Sequence, residues 1–197
     1  EEIVSAGVDE IVGAENDLDL LSADSAKYSD LVNEVGAGGN IKLKHKYYTY
    51  DSGYIMITQS NSVIDGNGAI IDMAGTSNFA FYVDYAAVGT TIKNLTIKNS
   101  GASEGSGVYA WSPCTIENCS FINNQAWDNG GAVFFRTSGK VINCYFESNR
   151  VTGSNGTAGA VYFGSSGEVI NCSFVNNNAA EYGGAIVFYD EGHVTDC

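Results

Sequence analysis

Cations are scarce in this chain of 197 residues: nine Lys and Arg stand against 23 Asp and Glu, for a net charge of −14. That balance excludes nucleic acid as a partner, because phosphate binding needs clustered positive charge. No apolar run approaches the ~20 residues of a membrane-spanning helix, so direct membrane insertion is not expected. The chain opens Glu1-Glu2 without a basic leader, as a mature secreted chain whose signal had been removed would. Histidine is rare too: His45 and His193 lie near opposite ends. No Ser, His and Asp set can be assembled from such spacing. Proline occurs once, against 24 glycines.

The residues that are plentiful point to β structure. Hydrophobic residues make up 44% of the chain, enough for a core. Asn and Gly fill turn positions, with Val, Ile, Phe and Tyr between them. Eight of the acids, Glu1, Glu2, Asp9, Glu10, Glu15, Asp17, Asp19 and Asp24, fall in the first 24 residues, where there is no base. Such acidity serves solubility, or suits an acidic cell surface or a salty exterior.

One phrase organises the rest. Gly130 to Asn149 reads GGAVFFRTSGKVINCYFESN. Its opening returns as Gly183-Gly184-Ala185-Ile186 and, shortened, as Ala158-Gly159-Ala160-Val161. Its ending returns as Phe121-Ile122-Asn123-Asn124 and Phe174-Val175-Asn176-Asn177. The period of 25 to 28 residues, seen between Cys119, Cys144, Cys172 and Cys197, signals a repeat architecture.

Alignment of the repeats gives three strand columns. The first holds Ile55, Phe81, Val108, Val133, Val161 and Ile186; the second Ile41, Ile64, Ile92, Ile116, Val141, Val169 and Val194; the third Tyr48, Ile71, Ile97, Phe121, Phe146 and Phe174. Like stacks on like in a parallel helix of strands, where each coil bonds to the next ~4.8 Å away. The expected fold is all-β, a solenoid of about six coils rising roughly 30 Å. Between the second and third columns stand Asn94, Asn118, Asn143, Asn171 and Asp196. Asn tolerates the left-handed conformation a bend needs, so these residues predict a structural ladder.

Three regions follow. Residues 1–23 form an acidic arm. Residues 24–36 form a capping helix: Tyr28, Leu31, Val32 and Val35 share one face over 25–35, Asp24 or Ser25 can cap its start, and Gly36 suits its end. Such a helix would cover the apolar end of the first coil. Residues 37–197 form the β-helix.

Cys119, Cys144, Cys172 and Cys197 occupy one place in successive coils, with Leu95 in that place one coil earlier. They read as a stack of free thiols in a core. Disulfides compete, but in-register neighbours sit near the strand spacing, longer than the ~3.8 Å between Cβ atoms that a disulfide prefers. A linear stack offers no tetrahedral cage, so no metal is expected, and no cofactor. Cys114 reads as core. Asp65-Gly66-Asn67-Gly68 lacks the later acids of a calcium loop and reads as a turn.

Alternation along the first column turns Met56, Tyr82, Tyr109, Phe134, Tyr162 and Val187 outward, beside a second outer row of Thr58, Asp84, Trp111, Arg136, Gly164 and Tyr189. An aromatic stripe of this kind is unusual on a solvated face. Three readings stand: the arm or a loop covers it, a partner protein or second copy docks on it, or sugars stack on its rings. The candidate binding residues are Tyr82, Asp84, Tyr109, Trp111, Phe134, Arg136, Tyr162 and Tyr189. Catalysis is not expected, because the row offers only Asp84 where polysaccharide-cleaving β-helices need clustered carboxylates. Asn155-Gly156-Thr157 is the one glycosylation sequon expected to be modified; those at Asn94, Asn118 and Asn171 fall in the bend ladder.

The GGA[VI] and FxxN alternation resembles the repeats of chlamydial polymorphic outer-membrane proteins. The stretch Ser62 to Asp72, SVIDGNGAIID, with Thr91 to Asn99, TIKNLTIKN, resembles more the adhesin-like surface proteins of methanogenic archaea. The likeness covers roughly residues 25–197. It implies a right-handed parallel β-helix, an extracellular or cell-surface location, and a non-catalytic role in adhesion or envelope structure. A host or neighbour cell-surface protein, or a glycan, would be the partner, with polysaccharide binding or cleavage as the alternative. Self-assembly is the other expectation. The coil ending at Cys197 leaves strand edges unpaired near Val194. The arm residues Ile3, Val4, Val8, Ile11 and Val12, or the helical cap of another copy, would complete them head to tail.

Overall fold

In the computed structural model, which describes residues 24–197, the columns become strands in the expected register. The first forms a six-stranded parallel sheet of β4 (Ile55–Ile57), β6 (Phe81–Val83), β9 (Val108–Ala110), β13 (Val133–Phe135), β17 (Val161–Phe163) and β20 (Ile186–Phe188). The second and third lie in a bent 12-stranded sheet. On one side of its bend run β2 (Asn40–Lys42), β5 (Val63–Asp72), β7 (Thr90–Lys98), β10 (Cys114–Glu117), β14 (Gly139–Ile142), β18 (Gly167–Ile170) and β21 (Gly192–Thr195). On the other run β1 (Ser25–Lys27), β3 (Tyr47–Thr49), the far ends of β5 and β7, β11 (Ser120–Ile122), β15 (Tyr145–Glu147) and β19 (Ser173–Val175). A third sheet of β8 (Gly101–Glu104), β12 (Gln125–Asn129) and β16 (Arg150–Val151) closes the coil. The fold is a parallel β-helix of about seven turns.

Alternation buries every other side chain inside the tube. Ile64, Ile92, Ile116, Val141 and Val169 are fully buried, as are Ile71, Ile97, Phe121 and Phe146. The inner rings stack at the strand spacing. Phe121–Phe146 and Phe146–Phe174 centroids lie 5.0 and 4.9 Å apart, and those of Phe135–Phe163 and Phe163–Phe188 4.8 Å.

Two amide ladders set the bends. At the first, Asn94, Asn118, Asn143 and Asn171 all have φ of 50–57°, and each donates to the residue one coil back, starting from the Asp65 carboxylate. The FxxN asparagines build a second ladder inside the tube. Asn124 and Asn149 are fully buried. Asn149 Nδ2 donates to Phe121 O and Asn177 Oδ1, both at 2.9 Å, and its Oδ1 accepts Asn124 N and Nδ2 at 3.0 Å. Backbone groups stranded at the turn are thereby paired, as buried polar groups must be.

The thiols use the same arrangement. All five cysteines are free, and four are buried. The N–H of Cys119, Cys144 and Cys172 each meets the Sγ of the cysteine one coil on at 3.3–3.4 Å. Burial pushes the Cys114 pKa up to about 12. Cys172 is raised by its bond with Cys144 and then by burial.

The capping helix is shorter than expected. Residues 25–27 are strand β1, paired with β3, and α1 spans Tyr28–Val35. Pairing to a neighbouring rung wins because it satisfies backbone groups that a first helical turn would leave open. Asp24 therefore does not cap; its carboxylate pairs with His45 Nδ1 at 3.1 Å. Asp51 serves the helix start instead, accepting Ser29 N at 2.8 Å. Gly36 ends the helix at φ 53°. Tyr28, Leu31 and Val35 are buried over the first coil, as a cap requires.

Two outcomes check these assignments. Asn149→Ala leaves a buried N–H and a carbonyl unpaired and should cost about 3 kcal/mol or more. Asn143→Ala mainly loses the left-handed preference, about 1 kcal/mol. Equal shifts in urea midpoint would refute an internal ladder. In the folded chain a thiol reagent should modify Cys197 alone, the other four reacting only after denaturation; native labelling of Cys119 or Cys144 would mean an open tube.

Candidate functional site: the aromatic face of the six-stranded sheet

Outward residues of β6, β9, β13 and β17 form a continuous ring stack. Tyr82–Tyr109, Tyr109–Phe134 and Phe134–Tyr162 centroids are 5.5, 5.1 and 5.2 Å apart, with rings within 22° of parallel. Offset stacks of this kind add about 0.5–1.5 kcal/mol per pair beyond burial. The second outer row is also in register: Trp111 N–H bonds Val83 O, Arg136 N–H bonds Ala110 O, and Tyr189 N–H bonds Phe163 O.

Not every expected residue faces solvent. Phe134 is only 3% exposed. The loop at Gly105 crosses it so closely that a Cβ there would sit 2.6 Å from Phe134 Cβ. Phe134 is thus mainly a packing residue, with little surface left to meet a ligand. The Asp84 carboxylate accepts Ala86 N–H at 3.1 Å within its own turn. Phe79 covers the upper stripe, 5.4 Å from the Tyr82 ring and 6.1 Å from Tyr54. Loop cover, one of the three readings, therefore holds for part of the face. Neither Phe79 nor Tyr54 was predicted, because both sit in irregular loops outside the strand columns.

The lower half of the face stays open. A cavity of about 330 Å³ is lined by Glu104, Asn129, Phe134, Arg136, Tyr162, Gly164 and Tyr189. Gly164 forms its floor, where a Cβ would stand 2.5 Å from Arg136 O. Tyr189 is 73% exposed and Trp111, beside the cavity, 38%. The Arg136 guanidinium lies 5.0 Å from the Trp111 ring centroid, a cation–π contact. Glu104 and Asn129 arrive from the three-stranded sheet. A register shift between Ala126 and Asn129 places Asn129 opposite Glu104, and their side chains meet at 3.4 Å. Such bulges commonly re-aim side chains at sites. The sequence columns contain neither residue, so strand alignment alone could not find them.

Burial, and then the Glu104 carboxylate beside it, push the Tyr109 pKa up to about 12. Tyr162 is raised by burial, and next by Tyr189 and Glu104, while Arg136 opposes the shift. Both phenols thus stay neutral donors at neutral pH. The cavity offers a carboxylate, a guanidinium, an amide and hydroxyls around exposed aromatic rings. It presents one carboxylate and no histidine.

The remaining sequence candidates lie elsewhere. Val194, 52% exposed, and Cys197 are on the last coil. Ile3, Val4, Val8, Ile11 and Val12 fall outside the described residues. Asn155 is exposed, whereas Asn94, Asn118 and Asn171 are tied into the ladder. The Asp65 carboxylate accepts Asn67 N–H and heads the ladder, as a turn residue does. Among the described residues no group of three His, Cys, Asp or Glu is placed to hold a metal.

The pKa of Tyr109 gives a pH test. Its folded value lies above the unfolded value of about 10, so the folded state holds its proton longer. The stabilisation is full below about pH 10 and fades as pH rises toward 12. Tyr109→Phe should flatten that decline in denaturation midpoint; an unchanged slope would place the phenol in solvent.

Comparison with protein-family models, curated proteins and solved structures returned no match.

Proposed function

We propose that this protein is a non-catalytic, adhesin-like attachment module of the cell exterior that binds saccharide along its six-stranded face. One observation carries the reading: exposed Trp111 and Tyr189 flank a cavity edged by Glu104, Asn129 and Arg136. Sugar rings lay their C–H faces on aromatic planes and give their hydroxyls to convergent polar groups. A purely apolar protein partner would leave that carboxylate and guanidinium unpaired, which is costly.

Binding without turnover fits the single carboxylate. Glycoside cleavage ordinarily needs two carboxyl groups about 5–9.5 Å apart. The stacked coils supply a rigid platform, so ligand binding orders few side chains and loses little entropy. The outside location and the attachment role rest on the repeat resemblance to adhesin-like surface proteins.

The test is a glycan array with purified protein. Retention of one or more glycans is expected, with a loss of tenfold or more in Trp111→Ala and in Tyr189→Ala. Wild-type retention in both variants would remove the face from the site. Release of product from a polysaccharide panel would overturn the non-catalytic reading.

A further inference from the structure

A second cavity lies on a different side of the rod, over the three-stranded sheet. It measures about 620 Å³. Trp127, Gln125, Arg150, Thr152 and Asn123 line it, with the turn of residues 74–77 along one edge. None of these residues belongs to the aromatic face described above.

Its chemistry is distinctive in three respects. First, Trp127 is 62% exposed yet positioned. A Cβ at Gly153 would come within 3.2 Å of Trp127 Nε1, so the indole lies against the next coil's backbone. Second, Arg150 is the only charged residue in the lining. Gln125, its register partner across β12 and β16, accepts the Arg150 Nε–H at 2.8 Å. Gln125 is held in turn by Thr152 at 3.5 Å. Arg150 lines the groove and has no acidic partner among the described residues, which leaves its terminal N–H groups for a ligand. Third, the floor is the outer amide row of the second bend, where Asn123 Nδ2 donates to Asn99 Oδ1 at 2.8 Å. Amides and hydroxyls therefore surround the guanidinium.

We infer that this groove is a second binding site, for a carboxylate-bearing sugar. An oriented guanidinium pairs with a carboxylate in bidentate fashion. The neighbouring indole takes the pyranose face, and the amide row takes hydroxyls. Charge selects the acid: a lone cation in a chain of net charge −14 is an uncompensated positive spot that a neutral sugar would leave unpaired. An anionic ligand must approach an acidic protein, so binding is specific to the groove rather than a general surface attraction. The two sites would let one rod hold two glycan segments at once, raising avidity without new contacts.

The experiment is calorimetric titration of the whole chain with oligogalacturonate and with the matching neutral galactose oligomer. Binding of the acid form with at least tenfold preference is expected. Arg150→Gln and Trp127→Ala should each weaken it tenfold or more, and Arg150→Lys should recover only part. Lys140→Gln, which removes a cation outside both grooves, should leave affinity unchanged. Native thiol protection and circular dichroism verify that each variant folds. Equal affinity for both oligomers, no affinity for either, or wild-type affinity in Arg150→Gln overturns the inference. If Trp111→Ala abolishes acid-oligomer binding while Trp127→Ala does not, the ligand belongs to the six-stranded face and the second site is refuted.

Discussion

Asn124, Asn149 and Asn177 stand above one another inside the tube, and each amide pairs backbone groups of the coil behind it. A coil of 25–28 residues cannot bury its own apolar face, and at every turn it leaves N–H and C=O groups without ladder partners. The solenoid exists because each coil satisfies the one before. Identical side chains at identical places follow from that demand: an amide in one coil offers the donor and acceptor that the preceding one needs. The cysteine column obeys the same constraint with a weaker acceptor, sulfur taking the N–H where the first bend leaves it.

That regularity shapes the outside as much as the inside. Once Val133, Val161 and Ile186 are locked in register, the residues between them are spaced at the strand repeat. Aromatic residues there must stack, and Tyr82, Tyr109, Phe134 and Tyr162 do. Irregular loops then tailor the regular face. Phe79 covers its upper half and the backbone at Gly105 crosses Phe134, while Gly164 keeps the lower half open.

The two grooves differ in electrostatic character. On the six-stranded face Arg136 shares its cavity with Glu104. In the groove over the three-stranded sheet Arg150 is the only charged residue of the lining. A chain with few cations has placed one in each groove, which is why these two arginines, rather than the exposed lysine–glutamate pair Lys140–Glu168, carry the functional reading.

The repeat spacing by itself determined the strand columns, the register, the left-handed asparagines and the buried thiols, because in-register stacking makes each position answer to the same environment in every coil. Local pattern misjudged the start of the helix: Ser25–Lys27 pairs with a strand 22 residues on, and no nearby residue announces that. Tertiary structure alone decided which outward residues are open. Phe134 and Tyr162 alternate alike, yet the backbone at Gly105 crosses the first and buries it, while the second stays partly exposed. Glu104 and Asn129 joined the site, and Trp127 and Arg150 formed the other groove, only through turns whose lengths break the repeat. Periodicity carries information where the chain repeats; where it departs from repeating, only the folded coordinates show what meets.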